Sequence, residues 1–214
     1  LENIKKIKKK KLLMLVLGVL IISLGTVICK KTSLGVDPFN AFCIGLSEAV
    51  SIHLGPLTLL VNSVLILIIL LTGRSFIGIG TIFTMVCIGY FISFFDTIIP
   101  DVHFQLLAIP NILIFIVGMS VMCFGVALYI ESQMGMVPYD CFSFILVKRF
   151  GGKTFAYRIG LDCTMSLVAF LLGGPISFGT IILAGGLGPL IDFFRGLIGK
   201  YSSLASSKVE TELN

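Results

Sequence analysis

The 214-residue chain is predicted to be an all-α integral membrane protein. It has six transmembrane helices plus two short, Pro-started re-entrant helices, arranged as two homologous repeats. Three observations predict this. Hydrophobic residues make up 57% of the sequence and charged residues 13%, with a mean hydropathy of +1.08; an ordinary soluble domain is about a quarter charged. Several apolar runs approach or exceed the roughly 20 residues that span a bilayer, and the period-two alternation of a barrel is absent. Finally, "LGVDPFNAF", Leu34 to Phe42, returns 100 residues later as "MGMVPYDCF", with Gly35, Pro38 and Phe42 matched by Gly135, Pro138 and Phe142.

Residues 1–11 form a basic N-terminus. Six of the 16 basic residues lie between Lys5 and Lys11, which reads as a cytoplasmic anchor under the positive-inside rule. The net charge of +5 therefore marks a membrane surface and no nucleic-acid partner. The apolar run from Leu12 to Cys29 is longer than a signal-peptide h-region and lacks a small-x-small cleavage site, so it is kept as the first span.

The first membrane repeat covers 12–99. After "KKTSLGVD", Pro38 opens a helix that ends near Val50; proline suits a first turn, where its missing N–H has no partner to lose. A helix of this length rises only about 20 Å, short of a core of about 30 Å. "HLGP" breaks the chain, a span follows from Pro56 to Thr72, closed by Gly73, and another runs from Ser75 to Phe95. Residues 100–111, with two prolines in the wider stretch from Asp96 to Asn111, form the linker. The second repeat, 112–198, follows the same order: a span from Ile112 to Ile130, a short helix from Pro138 to Phe150, then spans Thr154–Leu172 and Ile176–Ile198. The polar tail, 199–214, is expected to be disordered.

The repeat extends beyond the doubled phrase. With a shift of 100, Gly25 meets Gly125, Leu46 meets Leu146, Asn62 meets Asp162 and Gly73 meets Gly173. With a shift of 99, "GTI" at Gly80–Ile82 meets Gly179–Ile181, Gly89 meets Gly188, Ile92 meets Ile191, and Phe94–Phe95 meet Phe193–Phe194. One single-residue gap that preserves glycines, prolines and polar positions indicates duplication.

Two topologies compete. If the short helices are re-entrant, each half has three spans and the halves are inverted. If they cross, there are eight crossings and the halves are parallel. With re-entrant helices and a cytoplasmic N-terminus, Arg74, Lys148, Arg149, Lys153, Arg195 and Lys200 join the N-terminal lysines inside, and only Lys30 and Lys31 fall outside. With eight crossings Arg74 moves out as well, so charge and helix length both favour inversion.

In the doubled phrase a glycine permits a tight turn and a proline starts the next helix. The first-turn N–H groups of that helix lack intrahelical partners and carry the positive end of the dipole, so each start is a ready anion or dipole site. Broken helices at matching positions of two repeats point to a transporter's binding site. Asp37 and Asn40 flank Pro38, while Val137 and Asp140 flank Pro138. The plainer reading is helix capping by Asp37, and the two readings are compatible. Asp162 falls near the centre of its span, roughly 13 Å from either end, where a charge is costly and must face protein or a wet cavity. Thr154, Arg158, Asp162 and Ser166 share one helical face. Asp162 is thus either half of a structural pair with Arg158 or a proton, cation or solute site, with Asn62 as its non-titrating counterpart. The glycines around both "GTI" segments serve close helix approach, and Thr81 and Thr180 are lesser candidates for lining a path. The six cysteines have no metal-ligand spacing and read as small buried hydrophobes. With no nucleophile–base pair or nucleotide loop in view, the chain reads as a non-enzyme without a cofactor.

In its "GVDPFNAF" phrase, the "GTI" segments and the central Asn/Asp after each short helix, the chain resembles the YczE/YyaS/YitT family of bacterial multi-pass membrane proteins over most of Leu12 to Ile198. The resemblance implies a bacterial cytoplasmic membrane location. It implies no substrate and brings no catalytic residues, and some members' ties to secondary-metabolite production or stress leave a non-transport accessory role open.

The expected function is a secondary transporter or permease of a small solute, possessing inverted repeats, in which one half rocks against the other, with ion coupling through Asp162. Its partners are the solute, a coupling ion and the lipid bilayer; its small size leaves room for a homodimer.

Overall fold

The computed structural model describes residues 2–72, 77–99 and 111–212, with side chains over 9–72, 77–99 and 111–200. It is all-helical there: α1 Glu2–Lys31, α2 Pro38–Val50, α3 Leu54–Thr72, α4 Ile79–Ile98, α5 Asn111–Glu131, α6 Pro138–Phe150, α7 Thr154–Leu171 and α8 Phe178–Glu212. Six of these, α1, α3, α4, α5, α7 and α8, contain stretches long and apolar enough to cross a membrane. The other two, α2 and α6, have 13 residues each and start at the two prolines. Gly73, Arg74 and most of the 100–111 linker lie outside the described residues.

The helix ends correct the sequence reading in two places. The lysines of the N-terminus continue α1 as helix from Glu2; an apolar span marks where a helix enters lipid, not where its hydrogen-bond ladder begins. The 199–214 tail, expected to be disordered, is helical as far as Glu212, because nothing after Ile198 stops a ladder already running: there is no proline and the only glycine, Gly199, is tolerated.

The helix directions follow from a few contacts. A Cβ built on Gly18 would sit 2.8 Å from Tyr129 N and one on Gly25 2.5 Å from Met122 N, so α1 and α5 run antiparallel at backbone contact. From the other side, Gly118 and Gly125 leave no room against Cys29 and Ile22. These four glycines let two spans pack without intervening side chains. Lys30 reaches Asp96 at 2.9 Å, so α4 ends beside the end of α1. Arg195 reaches Glu131 at 3.2 Å, so α8 runs alongside α5. Around this seam Leu15, Val19, Phe115, Cys123, Tyr129 and Leu183 form the main apolar core.

Contacts divide the helices into two groups. One holds α1, α4, α5 and α8; the other holds α2, α3, α6 and α7, with α2 on α7 its largest internal contact; the groups meet mainly through α7 on α8 and α3 on α4. Each group takes two helices from each half of the chain.

The two connections that enter α2 and α6 share one geometry. Gly35 and Gly135 both have φ +126°, and Ser33 and Gln133 have φ 57° and 54°. Gly179 N donates to Leu34 O at 2.8 Å, and Gly80 N donates to Met134 O at 2.8 Å. Each connection is therefore tied to the start of the last helix of the opposite half. The positive φ and the closeness of Thr180 Oγ1, 2.6 Å from a Cβ built on Gly35, both require glycine.

Candidate functional site

Helices α2 and α6 meet start to start: the rings of Phe39 and Tyr139 stack with centroids 4.9 Å apart. From there α2 leads to Gly45, in backbone contact with Gly174 after α7. In the other direction α6 leads to Ile145, packed with Ile69 near the end of α3.

The two helix starts are finished differently. Asp37 caps α2, its Oδ1 accepting from Asn40 N at 3.1 Å and its Oδ2 from Asn40 Nδ2 at 2.6 Å. Val137 offers α6 no side-chain cap, and the acidic residue of its first turn is Asp140. The Asp140 carboxylate accepts from the Tyr129 hydroxyl of α5 and from Arg158 Nη1 of α7. Arg158 also donates through Nε to Asp162 Oδ2 at 3.3 Å, one turn further on. Asp162 Oδ1 accepts from the Tyr139 hydroxyl at 2.6 Å, and Arg158 lies 5.3 Å from the centroid of the Tyr139 ring. One guanidinium thus bridges two carboxylates, each of which holds a tyrosine. The Arg158, Asp140 and Asp162 side chains are 16%, 8% and 1% exposed, so the ion pairs are weighed as largely buried ones.

A cavity of about 440 Å³ lies between the two helix groups and carries Asp37, Asn40, Asn62, Asp140 and Arg158 in its wall. It extends along the first half of α3 and the second half of α4, toward the end where Lys30 meets Asp96. On the opposite side a second cavity of only about 30 Å³ is lined from α6, the first half of α7 and α8, with Ile130 of α5. Asp140, Arg158 and Ile191 belong to both walls and so form the partition between them.

The inequality has a visible cause. Gly55 and Gly89, in the large cavity, have nothing within 4 Å of a built Cβ. The residues at matching positions in the small one are Phe155 and Gly188, and a Cβ on Gly188 would lie 2.5 Å from the Phe155 ring. The Phe155 ring fills on one side what Gly55 leaves open on the other. The ends of the first helix group are clamped at matching positions with the charges exchanged: Lys31 to Asp96 at 3.4 Å, and Glu131 to Arg195 at 3.2 Å.

The residues singled out from the sequence separate into three sets. Asp37, Asn40, Asn62, Asp140 and Arg158 converge on the large cavity. Asp162 does not reach it; the residue is fully buried in the clasp of Arg158 and Tyr139. Pro38 and Pro138 begin the two meeting helices. Thr81 and Thr180 stand away from the cavity wall: their hydroxyls accept from Gly78 N at 3.1 Å and Ser177 N at 3.4 Å, closing the starts of α4 and α8. Asn62 is 4% exposed, its Nδ2 donates to Thr58 O at 3.0 Å, and its Oδ1 has no hydrogen-bond partner among the described residues. Exchanging the amide atoms would set the amide oxygen against the Thr58 carbonyl oxygen, acceptor to acceptor, so Nδ2 is the atom on Thr58. Tyr129, Tyr139 and Phe155 were missed by sequence reading. Tyr139 had a signal, as the aromatic that follows Pro138 just as Phe39 follows Pro38. Of the cysteines, Cys29, Cys43, Cys123 and Cys141 are buried, Cys87 is half-buried and Cys163 is exposed.

Among the described residues, eight packed helices, six of them long and apolar enough to span a membrane, enclose a largely apolar cavity with a few polar groups; this is the architecture of a multi-pass helical membrane protein. The chain belongs to DUF6198, a family of unknown function, which matches over residues 9–196. It is 28% identical over 168 residues to the uncharacterised membrane protein YczE of Bacillus subtilis (strain 168), covering 78% of this chain and 77% of YczE. It is 24% identical over 187 residues to the uncharacterised protein YyaS of the same organism, covering 86% of this chain and 92% of YyaS. An uncharacterised Haemophilus influenzae protein is 23% identical over 201 residues, covering 93% and 89%. No solved structure matches the chain.

Proposed function

We propose that the protein is a secondary carrier of a small solute, constructed from two inverted repeats and working by alternating access. The observation that carries this reading is the pair of matched cavities, about 440 Å³ and about 30 Å³, meeting at one Arg158–Asp140 partition. A duplicated carrier needs two such half-paths, one closed while the other is open. The directions of α1, α4, α5 and α8, together with the meeting of α2 and α6, support re-entrant short helices: each connection descends from one membrane face and each short helix returns to it. Under the positive-inside rule the face with Lys9–Lys11 and Arg195 is cytoplasmic, so the large cavity opens outward in a bacterial cell membrane.

The test is flux into proteoliposomes across a panel of labelled small solutes, together with labelling of Thr58→Cys by a membrane-impermeant maleimide in a background without reactive native thiols. Carrier function predicts saturable counterflow of at least one solute. It also predicts outward labelling of Thr58→Cys that Gly55→Phe suppresses. A second reading, a membrane accessory protein without a transport cycle, is favoured by the dry clasp of Asp162 with Arg158 and Tyr139. Absence of counterflow across the panel decides for it.

A further inference from the structure

The large cavity has a chemical bias that its helix starts alone do not predict. A bare helix N-terminus attracts anions, yet both starts here are already occupied by the chain's own carboxylates: Asp37 as the cap of α2, Asp140 in the first turn of α6. Asp162 adds a third carboxylate behind the wall, and Arg158 is the only cation in the group. Crediting each helix start with about half a positive charge, the site is left with close to one unbalanced negative charge. The Arg158 charge is matched by Asp140 and Asp162, to which its Nη1 and Nε donate, and the polar capacity left at Asp37 and Asn62 is for accepting hydrogen bonds. Each Asp37 oxygen has a lone pair beyond the one Asn40 uses. Asn62 lies in the cavity wall and is 4% exposed, and its buried Oδ1 has no partner among the described residues. The Phe39 and Tyr139 rings, stacked on each other, add aromatic surface to the same wall. Most of the rest of the wall is apolar, among it Leu59, Met85, Ile88 and Met122, and the volume is that of a small-molecule pocket.

From this convergence we propose that the cavity binds an organic monocation: an ammonium group held by Asp37 and the free Asn62 oxygen, with its apolar body against α4 and α5. The inference rests on the carrier reading for its biological sense, but binding itself is separable from transport.

The experiment is calorimetric titration of the detergent-purified full chain with 2-phenylethylammonium and n-hexylammonium, against 3-phenylpropanoate, hexanoate and 1-hexanol. The ammonium ions are expected to bind and the carboxylates not, with the alcohol at least tenfold weaker. Asp37→Asn keeps a good helix cap while removing the charge, and should weaken ammonium binding at least tenfold; Asn62→Leu should weaken it about fivefold. Glu48→Gln, an exposed carboxylate on α2 outside the cavity, should leave it unchanged. Thermal unfolding of each variant separates lost binding from lost fold. Equal binding of alcohol and ammonium, tighter binding of the carboxylates, no binding of any probe, or an Asp37→Asn protein that folds and binds as before would each overturn the proposal. Ammonium binding without counterflow would keep the site and overturn the carrier; anion flux without ammonium binding would do the reverse.

Discussion

Replacing Arg158 with Met tests the centre of the molecule. The substitution keeps most of the side-chain volume and removes the one cation that serves both Asp140 and Asp162. Breaking a buried pair from one side costs about 3–5 kcal/mol. An independent route gives the same scale: with its partner gone, a buried carboxyl neutralises, and protonating a group of ordinary pKa near 3.9 at pH 7 costs about 4 kcal/mol. For a chain of this size that corresponds to a fall in Tm of about 6–20 °C, read by heating detergent-solubilised protein and following the monodisperse fraction by size exclusion. Asp162→Asn in the native background should cost little, about 1 kcal/mol, since Arg158 keeps Asp140 and the Asn oxygen still accepts from Tyr139. In the Arg158→Met background the same change should raise Tm, because it removes a carboxyl that must otherwise be protonated at a cost. That reversal of sign is the pairwise coupling itself. If Asp162→Asn destabilises both backgrounds equally, Arg158 and Asp162 are not a unit and the network described above is wrong.

The remaining predictions concern packing. Gly25→Ala places a methyl at 2.5 Å from the α5 backbone and should cost about 1–3 kcal/mol, whereas Gly89→Ala, with open space around it, should be neutral to stabilising by up to about 1 kcal/mol; the same thermal assay compares them. Gly35→Ala forces a side chain into φ +126° and should lower stability by about 1–3 kcal/mol, while a change at the neighbouring exposed Ser33 to Asn, tolerant of its φ of 57°, should stay within about 0.5 kcal/mol. Breaking the partly exposed clamp with Asp96→Asn should cost under about 1 kcal/mol, measured as a Tm change that shrinks further at high salt.

The parts of this structure that were legible are those that one stretch of chain decides. Pro38 and Pro138 set the starts of α2 and α6, because proline's fixed φ and missing N–H allow few other places. The Arg158–Asp162 pair was legible from i, i+4 spacing within one helix. Its other partner was not: Asp140 lies on α6, 18 residues away, and only the turn between α6 and α7 brings it across. Asn62 and Asp162 were matched as equivalents, but their surroundings diverge through neighbours that differ, Thr58 against Arg158 and Phe39 against Tyr139. Hence one faces a cavity with a free oxygen and the other is clasped. The close α1–α5 approach had an unread signal: Gly18 and Gly25, like Gly118 and Gly125, are seven residues apart, two turns on a single helical face.

The interleaving of the halves, two helices from each in either four-helix group, constrains how the protein is made. When the first four helices have left the ribosome, α1 still lacks α5 and α2 still lacks α7, and Asp37 and Asn62 have only their local partners Asn40 and Thr58. Neither half is a finished object, so insertion must run ahead of assembly and the early spans must wait in the bilayer as loosely associated helices. A chain cut in the linker and expressed as two pieces would meet the same requirement, and its pieces would be complementary fragments with no independent fold to misassemble from.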